Sequence, residues 1–415
     1  MNWEYVKVSK LAEVVTDYVA NGSFADLANN VTYKDKEDYA VLIRLVDYNN
    51  GFKGPFVFID QKAYEFLSKS QLFGDEIIIS NVGANVGTVF KCPHLKYKMS
   101  LAPNSIMVKF KGINDFYYYW LTSPIGQFSL KTIVAGSAQP KFNKTNFREM
   151  MVPAPDLTTQ RKIAAVLSVL DDKIALNRRI NAKLEQMAKR LYDYWFVQFD
   201  FPNAEGKPYK SSGGKMIDNP ILKRKIPEGW EVKRLFDVVD VQYGFPFSTE
   251  LFTEEPTNVP VVRIRDILDG STSAYSHEPT DEKYHLQVGD VVVGMDGNFH
   301  MNFWHSDKDY LNQRCVRLRP KKDSSISSIQ IFYAISPYIK AKEKSVKGST
   351  VGHLSDGDIK GLYIIVPMLN DKFKSKNTFD SLLNLLLKNR QESAKLTALR
   401  DRLLPMLMNG QVTVK

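Results

Sequence analysis

Polar and cationic side chains gather on two glycine-punctuated loops in each half of this 415-residue chain. In the first half they are Asn81 and Asn85, after the apolar run Ile77–Ser80, and Gln139, Lys141, Asn143 and Lys144, in the loop opened by Gly136. In the second half Asn298, His300 and Asn302 fill the first loop, and Ser349, Thr350 and His353 fill the other. Amides, hydroxyls and imidazoles on loops can read nucleic-acid base edges, while lysines neutralise phosphates. The plainer use of the same residues is turn geometry, which Asn and Gly serve for backbone reasons alone. Arg44 and Arg263 stand at equivalent strand positions and suit either a phosphate or a neighbouring carboxylate.

Catalytic chemistry is harder to find. An adenine methyltransferase needs an Asn/Asp-Pro-Pro-aromatic string to hold its flipped base, and the nearest runs, Ser123-Pro124 and Ser336-Pro337-Tyr338, lack the second proline. Gly83 and Gly87 form a lone glycine pair with no helical pattern after it, which is too little for a cofactor loop. No Walker lysine loop occurs, so ATP hydrolysis is not encoded. Glu231-Val232-Lys233 has a nuclease-like Glu-x-Lys form but reads as solvent charge on an opening strand. His300, His305 and Cys315 lack compact ligand spacing, so no metal is expected.

Composition bounds the partners. A net charge of +10 and an isoelectric point near 9.2 favour a polyanion, because Lys and Arg that neutralise phosphates release condensed counterions. Cys92 and Cys315 are the only cysteines, which excludes a disulfide framework and suits a reducing, cytoplasmic setting. The opening MNWEYVKVSKLAEVV reads as the start of a domain rather than a leader. The uncharged run at 116–130 is broken by Ser123, Pro124 and Gly126 and falls short of the roughly 20 apolar residues of a span, so no membrane contact is expected.

The elements that carry the loops are written twice. WEYVKVSKLAEVV from Trp3 answers WEVKRLFDVVD from Trp230. The strand-like runs from Tyr39 and Val259 each close on a turn glycine, and LFGDEIIISNVG from Leu72 answers LQVGDVVVGMDG from Leu286. Ile106-MVKF parallels Val316-RLRP, the Gly136 loop parallels the Gly348 loop, and each copy ends on a Val-Pro pair, Val152-Pro153 and Val366-Pro367. Trp3 and Trp230 lie 227 residues apart, Gly74 and Gly289 215, and Gly136 and Gly348 212. A fixed order with a shrinking offset is the mark of two diverged domains with different loop lengths. Short β-branched runs, with one helical run per copy at 116–130 and from Ile329, make each copy an α+β globule.

A proline- and glycine-free stretch at 159–197 follows the first copy, with Ile163, Leu167, Leu170, Ile174, Leu184 and Leu191 at spacings of three and four and Asn177 and Asn181 between them. Such a stripe is a coiled-coil seam, and asparagine within it fixes register and partner number. The second copy is followed by 377–404, with Phe379, Leu382, Leu386, Asn389, Leu396 and Leu403 on a comparable seam. Each helix leaves a globule and needs a partner, so the expectation is an antiparallel pair with the globules at its two ends, related by a pseudo-two-fold axis. The simpler alternative packs each helix on its own globule. The expected divisions are a recognition domain at 1–153, a central helical region at 154–200, a solvated basic linker at 201–226, a second recognition domain at 227–367 and a distal helical region at 368–415.

LDDKIALNRRINAKLEQMAKRLYDYWFVQFD at 170–200 resembles the central helical region of Type I restriction–modification specificity subunits. PAPDLTTQRKIAAVL before it resembles the approach to that helix, LRDRLLPMLMNGQVTV at 399–414 resembles the distal region, and the two repeats resemble the family's two target-recognition domains. The resemblance implies a non-catalytic reader of a bipartite target in double-stranded DNA, one domain per half-site, with a spacer set by the helices. It also implies a complex with two modification (adenine methyltransferase) subunits and restriction subunits that act as an ATP-dependent endonuclease. S-adenosylmethionine, ATP and Mg would then sit on the partners, and this chain would bind no cofactor. Two other readings stay open: a fused restriction–modification enzyme, disfavoured by the missing motifs, and a coiled-coil scaffold without DNA, disfavoured by the charge and the duplicated loops.

Overall fold

The computed structural model describes residues 3–136, 138–256, 258–345, 352–367 and 374–414. The chain forms two compact units, Met1–Asp172 with Leu396–Lys415, and Lys173–Lys395.

In the first unit an antiparallel sheet runs in the order Ala12–Asp17, Ser105–Phe110, Ile77–Ser80, Val89–Lys91. All four residues of Ile77–Ser80 are buried, as a short unbroken apolar run in mid-sheet should be. A second sheet runs Val57–Ile59, Ala40–Ile43, Lys98–Leu101, Gln71–Leu72, and its central pair, Ala40–Ile43 with Lys98–Leu101, is parallel. Tyr5–Lys7 pairs with Met151–Pro153 and closes the globule on itself. Ile77, Ile79 and Val108 share a core with Phe116, Tyr117 and Trp120, and Trp3 meets Phe116 edge-on with ring centroids 5.9 Å apart.

The second unit repeats this wiring. Val239–Tyr243, Cys315–Pro320, Val291–Gly294 and Met301–Phe303 form the antiparallel sheet, Val259–Val262 pairs in parallel with Tyr310–Leu311, and Glu231–Arg234 pairs with Tyr363–Val366 to close the globule. The repeat seen in the sequence is thus a repeat of topology and register. The α+β class with two similar domains holds.

Three expectations are corrected locally. The strand-like runs from Tyr39 and Val259 are each a strand followed by a short helix, Leu45–Asn49 and Ile264–Asp269, with the switch at Arg44 and Arg263. The helix expected at 116–130 is two helices, Asn114–Thr122 and Pro124–Thr132, because Ser123 caps the second by accepting from the Gly126 amide at 3.2 Å. Gly126 sits so tightly under the Trp120 carbonyl that a Cβ would fall 1.9 Å from its oxygen. In the second copy Pro337 is accommodated inside one helix, Ser328–Ser345. The solvated linker expected at 201–226 is instead folded: Met216–Asn219 and Arg224–Pro227 form a hairpin, and Phe199, Phe201 and Ile226 are buried with Trp230. Phe201 stacks on both Tyr209 and Trp230 with centroids 4.6 Å away, so aromatic side chains outvote the Pro, Gly and Lys around them.

The two long helices are Leu157–Tyr192, of 36 residues, and Ser375–Met408, of 34. A single π-type turn, Asp193–Val197, ends the central helix and turns Trp195 and Phe196 into the core of the second unit. In the first unit Ile163 and Leu167 share a core with Leu407 and Met408, with Leu403 packed against it, and Asp171 pairs with Arg400 at 2.7 Å. Leu170, in the first unit, is half-buried; in the second unit Ile174, Asn177 and Asn181 are buried and Leu184 and Leu191 half-buried. Asn177 reaches Glu392 at 2.7 Å and Asn181 reaches Asn389 at 3.0 Å. Rising numbers on one helix meet falling numbers on the other, so the pairing is antiparallel. On the distal helix Phe379 and Leu386 are buried and Leu382, Asn389 and Leu396 half-buried. The sequence reading missed Leu383 and Leu387, which are buried because that helix also lies against the turn at Gly289.

Candidate nucleic-acid interface

In each unit the structure joins the two loops that the sequence singled out. In the first, the strand Ile77–Ser80 runs into a turn whose Gly83 has φ +93°, and the return loop from Gly136 folds back onto it. The Gly83 amide donates to the Pro140 carbonyl at 2.9 Å and the Phe142 amide donates to the Asn81 carbonyl at 3.1 Å. In the second, Gly297 has φ +69°, its amide donates to the Gly352 carbonyl at 2.8 Å, and the Leu354 amide donates to the Met295 carbonyl at 2.7 Å. Both turns need a left-handed residue where the clasp forms, which is why glycine stands there twice. Two antiparallel bridges complete the parallel: Val82 with Lys141, and Asp296 with His353.

The individual side chains divide into exposed groups and groups already engaged. Asn85, Gln139 and Lys141 are exposed, and Lys141 makes no ion pair among the described residues. Asn143 instead caps Lys144–Glu149 by accepting from the Asn146 amide at 2.8 Å, and Lys144 is tied to Asp17 at 2.8 Å. A helix start thus engages one, and a half-buried carboxylate pairs with the other. Asn81 is also structural, since its Nδ2 donates to the Phe142 carbonyl at 2.9 Å and strengthens the clasp; its Oδ1 is buried without a protein partner.

In the second unit Asn298 is exposed and His300 half-buried on one wall of a cleft. Asn302 is engaged too. Its Nδ2 donates to the Ile267 carbonyl at 2.8 Å and its Oδ1 accepts from Arg390 at 2.7 Å, so it fastens the globule to the distal helix. His353 is exposed but hydrogen-bonded through Nδ1 to Asp296. Ser349 and Thr350 lie outside the described residues.

Arg44 and Arg263 resolve in favour of the carboxylate. Arg44 holds Asp47 through Nη2 at 2.7 Å and Nε at 3.0 Å, and Arg263 holds Asp266 through Nε at 2.9 Å and Nη2 at 3.2 Å. In both copies the Asp side chain also accepts from the Arg backbone amide at 2.9 Å, so one Arg-x-x-Asp unit starts the short helix twice.

Two arginines that sequence reasoning passed over line the same cleft as Asn298 and His300. Its walls are Arg263, Ile264, Arg265, Asn298, His300, Asn312 and Arg314, enclosing about 390 Å³. The signal was present in Arg265, two residues past Arg263, and in the polar run Asn312-Gln313-Arg314 just before a buried strand. In the first unit a cleft of about 480 Å³ is lined by Asp17, Tyr18, Phe24, Tyr33, Asn81 and Asn104 among others, with no arginine. Asn104 and Arg314 hold equivalent places, because the Asn81 amide donates to the Asn104 carbonyl at 3.1 Å and the Met295 amide to the Arg314 carbonyl at 2.9 Å.

The remaining polar chemistry has structural partners. Lys233 pairs with Glu231 at 2.8 Å on the exposed opening strand. Cys315 is fully buried, and burial pushes its thiol up to about 12, far from nucleophilic use. Among the described residues no three His, Cys, Asp or Glu side chains stand together as metal ligands would.

Two globules of matching topology, each presenting a clasped loop pair, define a duplicated protein. The model of the Type I restriction modification DNA specificity domain matches residues 1–186 and 227–398, and the chain belongs to that family. It is 27% identical to the Type I restriction enzyme MjaIX specificity subunit of Methanocaldococcus jannaschii over 75% of this chain and 72% of that protein. The MjaVIII specificity subunit of the same organism is 25% identical over 91% of this chain and 94% of its own length. The crystal structure of a Type-I restriction-modification system S subunit from M. genitalium superposes with a TM-score of 0.55 at 16% identity, covering 98% of this chain and 96% of that one, a likeness of fold.

Proposed function

We propose that this chain is the DNA sequence-specificity subunit of a Type I restriction–modification complex, reading a bipartite target with one domain for each half-site. The observation that carries this reading is the loop clasp, built at the same register in both units from the pairs Asn81–Phe142 and Met295–Leu354. A clasp of backbone hydrogen bonds fixes the loops while leaving their side chains free to differ, which is what two readers of different bases require. Family membership and the basic charge support the same conclusion.

The subunit contributes recognition, and catalysis belongs to its partners: two modification subunits that carry S-adenosylmethionine, and restriction subunits that carry ATP and Mg. The central helix offers a docking face. Leu176, Ile180, Met187 and Tyr194 follow one another at intervals of four and seven, and all are exposed although large and apolar. Among the described residues no helix is long and apolar enough to cross a membrane, and a cytoplasmic setting suits a DNA substrate.

Co-expression with the cognate modification subunit, followed by sequencing of methylated adenines, tests this reading. A motif of two short specified blocks separated by unspecified bases is expected. Methyl transfer by the purified chain alone, or methylation without a motif, would overturn it.

A further inference from the structure

We infer that the second domain specifies a guanine in its half-site, read by Arg314 with Arg265 alongside; the inference rests on the DNA-reading function proposed above. The cleft between the Arg263–Arg265 segment and the Asn312–Arg314 turn gathers three guanidinium groups, and they are not equivalent. Arg263 is consumed by two hydrogen bonds to the buried Asp266. Arg265 is exposed and makes no ion pair among the described residues. Arg314 is also exposed, and its Nη1 is held by Asp296 Oδ2 at 3.0 Å.

That last contact shapes the site. Asp296 belongs to the clasped turn, and its other oxygen accepts from His353 of the return loop. The aspartate therefore ties both recognition loops to one arginine and reduces the rotamer freedom that a long cation loses on binding. A guanidinium has five donors, so one Nη1 contact leaves enough for a planar, two-acceptor partner. Guanine offers that pair in the major groove through O6 and N7, and arginine is the side chain that matches it. A phosphate offers a similar pair of acceptors but carries no sequence information. The buttressed arginine beside Asn298, His300 and Asn312, all able to bond a neighbouring base edge, favours the base.

The first domain supplies an internal contrast. The place of Arg314 is taken there by Asn104, and the residues after Arg44 are Leu45 and Val46 where the second domain has Ile264 and Arg265. Guanine readout by this device is thus confined to one half of the target.

The full-length chain is co-expressed with the modification subunit, and methylated adenines are mapped for wild type, Arg314→Ala and Arg314→Lys. The wild-type motif should hold a G·C pair in one half that becomes degenerate in both variants, with discrimination at that position falling about 5- to 150-fold and the other half unchanged. The lysine variant keeps the charge but not the fork, so it separates base reading from phosphate attraction even if the alanine variant fails to assemble. A motif intact in Arg314→Lys, with methylation lowered evenly across all sites, would assign Arg314 to phosphate and overturn the inference. A second half-site with no G·C pair would also overturn it. Absence of any wild-type motif would instead strike the proposed function itself.

Discussion

Asn389 donates through Nδ2 to Asn181 Oδ1 at 3.0 Å, while Asn181 donates to the Leu386 carbonyl at 3.2 Å, within the seam of the two long helices. One step along, Asn177 donates to Glu392 at 2.7 Å, and this bond together with Lys173 holds the Glu392 carboxyl below the usual carboxylate range. A polar layer of this kind stabilises little but favours one register, and within it the Asn177 Oδ1 is buried without a protein partner.

The amide pair should therefore show coupling. Asn389→Leu alone leaves Asn181 Oδ1 without its donor and should cost about 1–2 kcal/mol. Asn181→Leu alone should cost a similar amount, whereas the double leucine variant should recover most of the loss. A double-mutant cycle on urea midpoints checks this; additive losses would contradict a direct pair.

Trp230 should prove as important as a residue of a regular core. It is buried among Phe196, Phe199 and Phe201, and its removal opens the aromatic cluster that folds 201–226 onto the second unit. Trp230→Ala should destabilise that unit by about 3–5 kcal/mol. Limited proteolysis should then cut within 201–226, where the wild type resists. Equal cleavage in both would restore the picture of a free connector.

Acidification should weaken the second unit through His305. Burial holds its imidazole below the ordinary value of 6.5, and the Arg390 guanidinium adds to the effect against an opposing Asp309. Its Nδ1 is buried without a protein partner, and its carbonyl accepts from Gln391 of the distal helix at 2.8 Å. The unfolded chain takes up the proton near pH 6.5 while the folded chain resists it. The contribution is therefore present above pH 6.5 and lost as pH falls through the folded value. The slope is at most about 1.4 kcal/mol per pH unit for one proton. Urea midpoints between pH 7.5 and 5.5 should fall more for wild type than for His305→Gln; parallel curves would exclude His305 as the source.

What the sequence disclosed and what it hid follow from the range of the interactions. Ile163, Leu167, Ile174 and Phe379 were legible because a helix seam writes its burial at fixed spacing. The two loops per domain were legible because their order repeats, even though the clasp between Asn81 and Phe142 spans 61 residues. Partnerships across long separations were not legible: Asn302 has the side chain of a base reader, yet its partner Arg390 lies 88 residues away. Local competition hid others. Asn143 has the composition of a contact residue and the position of a helix cap, and only the backbone at Lys144–Glu149 decides between them. Arg314 was overlooked because nothing in one sequence announces that Asp296 will hold it.

Each domain should read its own half of a split target. Exchange of residues 1–153 for the corresponding domain of a relative with a different target, followed by mapping of methylated adenines in the assembled complex, tests this division. One half of the motif should change while the other keeps its bases. A change in both halves, or in neither, would contradict it.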